Sequence, residues 1–409
     1  MKVVTKQILV PEIRFPEFEE KWCLKLLSEL FTFKNGVNAS KEDYGSGYKF
    51  INVLDIIEND FITHDKIIGE VNISEEIFRK FIVEYGDVLF QRSSETREEV
   101  GQANVYLDKK SPATFGGFVI RGKQKEEYNP SFMNALLKTS RSRKEITTKS
   151  GGSTRYNVGQ ETLSSVKIYT TKIEEQQKIA SFLTSVDKKI QQLTKKTEDL
   201  EQFKKGVMQQ IFKQELRFKD DTGNDFPKWK NVGGNVLFDS ISDKKHNSDL
   251  PILAITQDKG AIPRDLIDYN ISVTEKSVDS YKVVQIGDFV ISLRSFQGGI
   301  EYSNYKGICS PAYIILRPSS ENVDRTFYKY YLKTSNYIKQ LQKNLEGIRD
   351  GKMISYKYFS EIKLPFPSIG EQKKIASFLT TIDKKIAQAN TQLAETQQFK
   401  KGLLQQMFV

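Results

Sequence analysis

Arginine, asparagine and glutamine carry fixed hydrogen-bond donor patterns that match base edges, arginine for guanine and the amides for adenine. In this sequence the candidates are Gln91, Arg92, Asn157, Gln257, Arg294 and Gln297, and no spacing rule selects among them. Arg92 and Arg294 close two related runs, YGDVLFQRSS and IGDFVISLRS, which open on Gly86-Asp87 and Gly287-Asp288. Each Gly-Asp reads as a β-turn, with glycine supplying a special dihedral and aspartate bonding its own backbone. The strand behind it then aims the arginine. Two basic clusters add phosphate chemistry: Arg141, Arg143, Lys144, Lys149 and Arg155 in one, Lys339, Lys343, Arg349 and Lys352 in the other. Gly151-Gly152 and Gly347 with Gly351 lie in them. A glycine-containing basic loop suits close approach to a phosphate backbone, although an ordinary solvated loop has the same composition.

Proton-transfer and metal chemistry have little to work with. The only histidines are His64 and His246, and no Walker loop, GxGxxG, HExxH or paired metal-ligand spacing occurs. Catalytic and metal residues are therefore expected to be absent. Cys23 and Cys309 support neither a disulfide framework nor a cysteine zinc site. The net charge of +10 favours polyanions, though a merely basic soluble protein would look the same. With no apolar run of 18 residues and no signal-peptide pattern at its start, the chain is expected to be cytoplasmic and to have no membrane partner.

The elements that must position these residues occur twice. Residues 175–190 read EQQKIASFLTSVDKKI and residues 371–386 read EQKKIASFLTTIDKKI, thirteen of sixteen positions being identical at an offset of 196. Gln202 to Gly206 and Gln398 to Gly402 continue the match. Further pairs are Glu12 to Phe15 with Glu215 to Phe218, Trp22 with Trp229, Ser111 to Ala113 with Ser310 to Ala312, and Leu137 to Ser140 with Leu332 to Ser335. Self-similarity at a fixed offset decides architecture. Apolar positions Ile179, Leu183, Val186, Ile190 and Leu193 step by four and three, as do Ile375, Leu379, Ile382, Ile386, Ala389 and Leu393, which is an a/d seam. The simplest burial for two such helices is against each other, antiparallel, with pseudo-two-fold symmetry. A seam that dimerises between chains is the alternative. Gly206 and Gly402 mark a bend or a close backbone approach. The repeat also places the two ends of the chain near each other.

The stretches between the helices are mixed. Strand-like runs cover 81–90, 117–121, 282–293 and 312–317, and helical signals cover 129–138 and 325–345. The expected fold is α+β: two mixed α/β globular domains separated by two long helices that form an antiparallel coiled coil, with a pseudo-two-fold internal repeat. The boundaries are a 1–13 extension, globular domains 14–170 and 214–366, and helical segments 171–213 and 367–409.

The doubled frame of ELRFP…W, then GD-apolar-R-S, then SPA, then EQ-x-x-I-A-x-x-L-x-x-x-D-x-x-I resembles the DNA specificity subunit of type I restriction–modification systems. The resemblance covers nearly the whole chain and is strongest from Glu175 to Ile190 and Glu371 to Ile386. One departure is Tyr169-Thr170-Thr171, where the second copy has Pro365-Phe366-Pro367. The resemblance implies that the globular domains are target recognition domains reading a bipartite, asymmetric site in double-stranded DNA. It implies that two methyltransferase and two restriction subunits are partners, with no catalysis in this chain. S-adenosylmethionine, ATP and magnesium then belong to the partners. Helix pairing or partner binding falls on Glu175, Gln176, Ile179, Leu183, Val186, Asp187, Ile190 and Leu193, and on Glu371, Gln372, Ile375, Leu379, Ile382, Asp383, Ile386 and Leu393. A DNA-reading subunit of another methyltransferase–nuclease complex, or an adaptor whose helices dimerise, are the alternatives.

Overall fold

The computed structural model describes residues 10–247, 249–267, 278–343 and 354–409. They form two compact units, Met1–Thr194 with Thr391–Val409, and Lys195–Asn390.

The first unit is built on a four-stranded antiparallel sheet of β1 (Phe31–Asn35), β2 (Val88–Gln91), β3 (Ala103–Val105) and β4 (Val119–Gln124) in the order β1-β4-β2-β3. Behind it come helices α1 (Pro130–Lys138) and α2 (Ser140–Lys149), and the long helix α3 (Ile173–Phe212) begins in this unit. The second unit repeats the plan. Strands β5 (Phe238–Ile241), β6 (Phe289–Ile291), β7 (Glu301–Tyr302) and β8 (Ile314–Pro318) take the order β5-β8-β6-β7, followed by α4 (Arg325–Tyr331), α5 (Ser335–Lys343) and the long helix α6 (Ile369–Gln406).

Local chemistry explains the shared elements. Gly86 and Gly287 adopt φ of 96° and 89°, which glycine tolerates without steric cost. The following aspartates close the turns: Asp87 accepts the Glu84 N–H at 3.0 Å and Asp288 the Gln285 N–H at 2.8 Å. These turns cut the expected strands 81–90 and 282–293. The sheet strands start only at Val88 and Phe289, and Lys282–Val284 is a separate strand. The expected helix 325–345 is likewise two helices. Thr334 caps the second, accepting the Tyr337 N–H, as Thr139 caps α2 through the Ser142 N–H. The repeated Leu-Lys-Thr-Ser thus ends one helix and starts the next.

Each unit takes half of each long helix. In the first, Ile179, Leu183 and Val186 of α3 bury against Trp22, Phe132 and Leu136, against Leu403 in the last turn of α6, and against Met407 and Phe408 just beyond its end. In the second, Ile375, Leu379 and Ile382 of α6 bury with Phe238, Phe327 and Tyr328, and with Val207 and Ile211 of α3. The seam expected to face a partner helix is therefore shared with the globular core, each large side chain contributing about 1.5–3 kcal/mol. Leu193 and Ala389 are buried, while Ile190, Ile386 and Leu393 are half-buried.

The helix segments run antiparallel in each unit. Ile13 donates its N–H to the Gln406 carbonyl at 2.9 Å while neighbouring Arg14 bonds Glu175, so α6 ends where α3 begins, and Asp187 pairs with Lys400 further along. In the second unit Leu216 donates to the Gln210 carbonyl at 3.2 Å, Arg217 bonds Glu371, and Lys204 pairs with Asp383 at 2.6 Å. The same hydrogen bond joins Ile13 to Gln406 across the chain ends and Leu216 to Gln210 within the chain. A Cβ at Gly206 or Gly402 would meet nothing within 4 Å, so neither glycine serves a close approach among the described residues.

Candidate nucleic-acid and partner interfaces

The most constrained site in each unit is where the globular part grips its long helix. Glu175, 1% exposed, accepts from Arg14 Nε at 2.7 Å and Nη2 at 2.8 Å, from Trp22 Nε1 at 3.4 Å and from the Thr171 hydroxyl. Glu371, fully buried, accepts from Arg217 Nη2 at 2.9 Å and Trp229 Nε1 at 2.8 Å. The neighbouring glutamines do a second job twice over. Gln176 Oε1 accepts the N–H of Asn129, the residue capping α1, and Gln372 Oε1 accepts the N–H of Asp324, which caps α4. Their amide groups donate to the Thr171 and Pro367 carbonyls. Glu175, Gln176, Glu371 and Gln372 are thus internal anchors. Their burial removes them from the partner-binding set in which the sequence had placed them. Arg14, Trp22, Glu175 and Gln176 were visible as repeated residues, whereas Thr171 was not, and nothing local in the sequence joins Arg14 and Trp22 to a glutamate more than 150 positions away.

Of the expected DNA contacts in the first unit, the structure gathers three, the base-reading candidates Arg92 and Asn157 and the basic-cluster Arg155. Asn157 accepts from the Ser93 hydroxyl at 2.6 Å and donates to the Arg155 carbonyl, within a two-stranded ladder that follows Arg92. Arg92, Arg155 and Asn157 are exposed there, beside Phe118, which is 66% exposed. Arg92 reaches the Gly117 carbonyl at 3.2 Å, so a single rotation frees its guanidinium for a ligand. Gly151 pairs with Asn157 and brings the glycine-containing loop to the same place.

Four candidates are elsewhere. Gln91 is buried and donates to the Ser93 carbonyl. Arg143 is half-buried and holds the Glu98 and Val100 carbonyls, and burial pushes its guanidinium down to about 10. Both are structural, because a buried donor must be satisfied within the protein. Arg141 lies 4.4 Å from the centre of the Tyr169 ring, at the strand leading into α3. Lys149 faces Glu145 one turn back on α2 at 3.7 Å.

In the second unit Arg294 and Gln297 are exposed at a short helix, Ser295–Gly298, that follows β6. Gln257 donates to both the Arg294 carbonyl and Gln297 Oε1 at 3.3 Å. Lys333 ties this group down, donating to the Gln257 and Gly298 carbonyls and to Glu301 Oε1 at 2.5 Å. Arg349 and Lys352 lie outside the described residues. No cluster of metal-ligating side chains occurs among the described residues.

Glu301 is 2% exposed, and burial pushes its carboxyl up to about 7 in spite of Lys333. A carboxyl raised on folding binds more protons in the native state. Its stabilisation is therefore complete below about 4.5 and is lost as pH rises through 7. We expect the stability gap between wild type and Glu301→Gln to shift against wild type from pH 5 to pH 8, read by denaturant titration. Parallel curves would contradict the assignment.

The long helices carry one conspicuous exposed pair. Phe203 of α3 and Phe399 of α6 occupy equivalent repeat positions, and each is 53% exposed. Gly206 and Gly402 lie three residues on, on the same helix face, with open space above them.

Residues 19–202 and 231–398 each match the model of the type I restriction modification DNA specificity domain. The chain belongs to that family. A specificity subunit is the non-catalytic component of a type I restriction–modification system. The MjaX type I restriction enzyme specificity subunit of Methanocaldococcus jannaschii is 26% identical over 408 residues, covering 95% of this chain and 93% of that one. In fold, the chain resembles the crystal structure of a type I S subunit from M. genitalium, with TM-score 0.56, 15% identity, and coverage of 98% and 99% of the two chains. It also resembles the HsdS subunit of Thermoanaerobacter tengcongensis, with TM-score 0.52, 18% identity, and coverage of 96% and 99%. No described helix of this specificity subunit is long and apolar enough to cross a membrane.

Proposed function

We propose that this specificity subunit reads a bipartite, asymmetric double-stranded DNA target, one short element with each globular domain, and directs methyltransferase and restriction subunits to it. The boundaries 14–170 and 214–366 delimit those domains in this reading. The carrying observation is a scaffold built twice around different exposed groups. Sheet order, glutamate anchor, glutamine clasp and Gly-Asp turn recur. An arginine follows β2 and β6 in both units, but the side chains beside it do not recur: Arg155 and Asn157 in one unit, Gln257 and Gln297 in the other. Two like frames with unlike surfaces suit two unlike half-sites. The repeated Phe203 and Phe399 suit two copies of one partner, the methyltransferase subunit. Two restriction subunits complete the complex, and the partners bring S-adenosylmethionine, ATP and magnesium. The cytoplasm, where the DNA lies, is the compartment this work requires.

Replacing residues 214–366 with the corresponding domain of a relative is expected to change one half-site and keep the other, read by methylation mapping in cells. Affinity should also fall steeply with salt, as release of phosphate counterions demands. Loss of both half-sites in the hybrid, or a flat salt response, would sink the reading.

A further inference from the structure

In the second unit Tyr330 reaches from α4 onto α6. Its hydroxyl donates to Asp383 Oδ2 at 2.6 Å and lies 3.3 Å from Thr380 Oγ1, while Lys204 of α3 stands 5.3 Å from its ring centre. The first unit has every member of this nest except the tyrosine. Asn129 and Asp324 are equivalent caps, so position 135 corresponds to 330, and the residue there is Ala135. Thr184, Asp187 and Lys400 correspond to Thr380, Asp383 and Lys204. All four line one open cavity of about 420 Å³, whose apolar wall includes Leu183 and Leu404. That volume falls in the range of small-ligand pockets, roughly 300–1,000 Å³.

The second unit therefore displays, within its own chain, the ligand for which the first unit has an unfilled site: a phenol ring with its hydroxyl on a carboxylate and a threonine, under a lysine. We propose that this cavity receives a tyrosine side chain from one methyltransferase subunit, so that the two docking surfaces on the repeated helices are not equivalent. A single phenol binds weakly by itself. An aromatic anchor seated in a pocket is how a larger protein interface concentrates its affinity. The inference rests on the docking role given above to the repeated helices.

The phenol site is tested first without any partner. p-Cresol titrated into the full chain should bind one saturable site at millimolar concentration, with toluene, which lacks the hydroxyl, at least several-fold weaker. Ala135→Tyr should fill the cavity and abolish p-cresol binding. Thr184→Val should weaken p-cresol but not toluene, and Tyr330→Ala should open a second p-cresol site. Equal binding of toluene and p-cresol, or p-cresol binding untouched by Ala135→Tyr, would overturn the site. The partner is tested next. In the assembled complex p-cresol should no longer bind, and Ala135→Tyr should weaken one of the two methyltransferase subunits by tenfold or more while leaving the other unchanged. If p-cresol binds free chain and complex alike, the occupant is not a partner tyrosine, although the docking role stands. If no methyltransferase subunit associates with any variant or with wild type, the docking role itself is wrong.

Discussion

Arg14→Met is expected to cost the first unit about 3–5 kcal/mol of stability, the usual consequence of removing one member of a buried ion pair. The loss comes less from the missing attraction than from what remains. Glu175 is 1% exposed, and without the guanidinium it keeps only Trp22 Nε1 at 3.4 Å and the Thr171 hydroxyl. An unpaired buried carboxylate carries its desolvation cost uncompensated. Glu175→Gln, which keeps an acceptor for Trp22 and removes the charge, should cost distinctly less. Arg217→Met should do the same in the second unit, where Glu371 is fully buried beneath an arginine side chain that is 27% exposed. Urea denaturation reads all three. A loss below 1 kcal/mol for Arg14→Met would show that the anchor contributes packing alone.

The second large effect is on assembly. Phe203→Asp and Phe399→Asp are each expected to release one methyltransferase subunit, and the double variant both. An exposed aromatic at the centre of an interface is worth about 2 kcal/mol or more, roughly a 30-fold loss of affinity. Placing a carboxylate there adds a desolvation penalty. Both side chains are 53% exposed, so the folded chain should keep its stability within about 0.5 kcal/mol. Native mass spectrometry of the co-expressed complex counts the subunits directly. Full stoichiometry in the double variant would move the docking surface off these residues, while retention of DNA binding by the free chain would show that the reading heads are intact.

These two effects arise from the same repeated helix, Glu175 near its start and Phe203 in the continuation of the match, and the sequence could not separate them. It presents Glu175, Gln176, Asp187 and the apolar seam as one recurring block. The structure turns the first two inward to hold the globular part, sets Asp187 against Lys400, and gives the seam to the unit core. Among the candidate DNA contacts, Arg92 and Arg294 are exposed just after sheet strands, and Asn157 is exposed in the ladder beside Arg92. Gln91 and Arg143 are not, and their residue types would have served either role.

By itself the sequence determined that the scaffold exists twice, that two long helices carry it, and that the family is one of DNA specificity. Repetition, heptad spacing and turn glycines are short-range signals, and short-range signals survive in a linear string. Only the tertiary structure decided that each long helix is divided between the two units, that an arginine and a tryptophan meet a glutamate about 150 residues away, and that Ala135 leaves open a site its counterpart Tyr330 fills. Periodicity tells which face of a helix is buried, whereas what buries it depends on residues brought close only when the chain has closed upon itself.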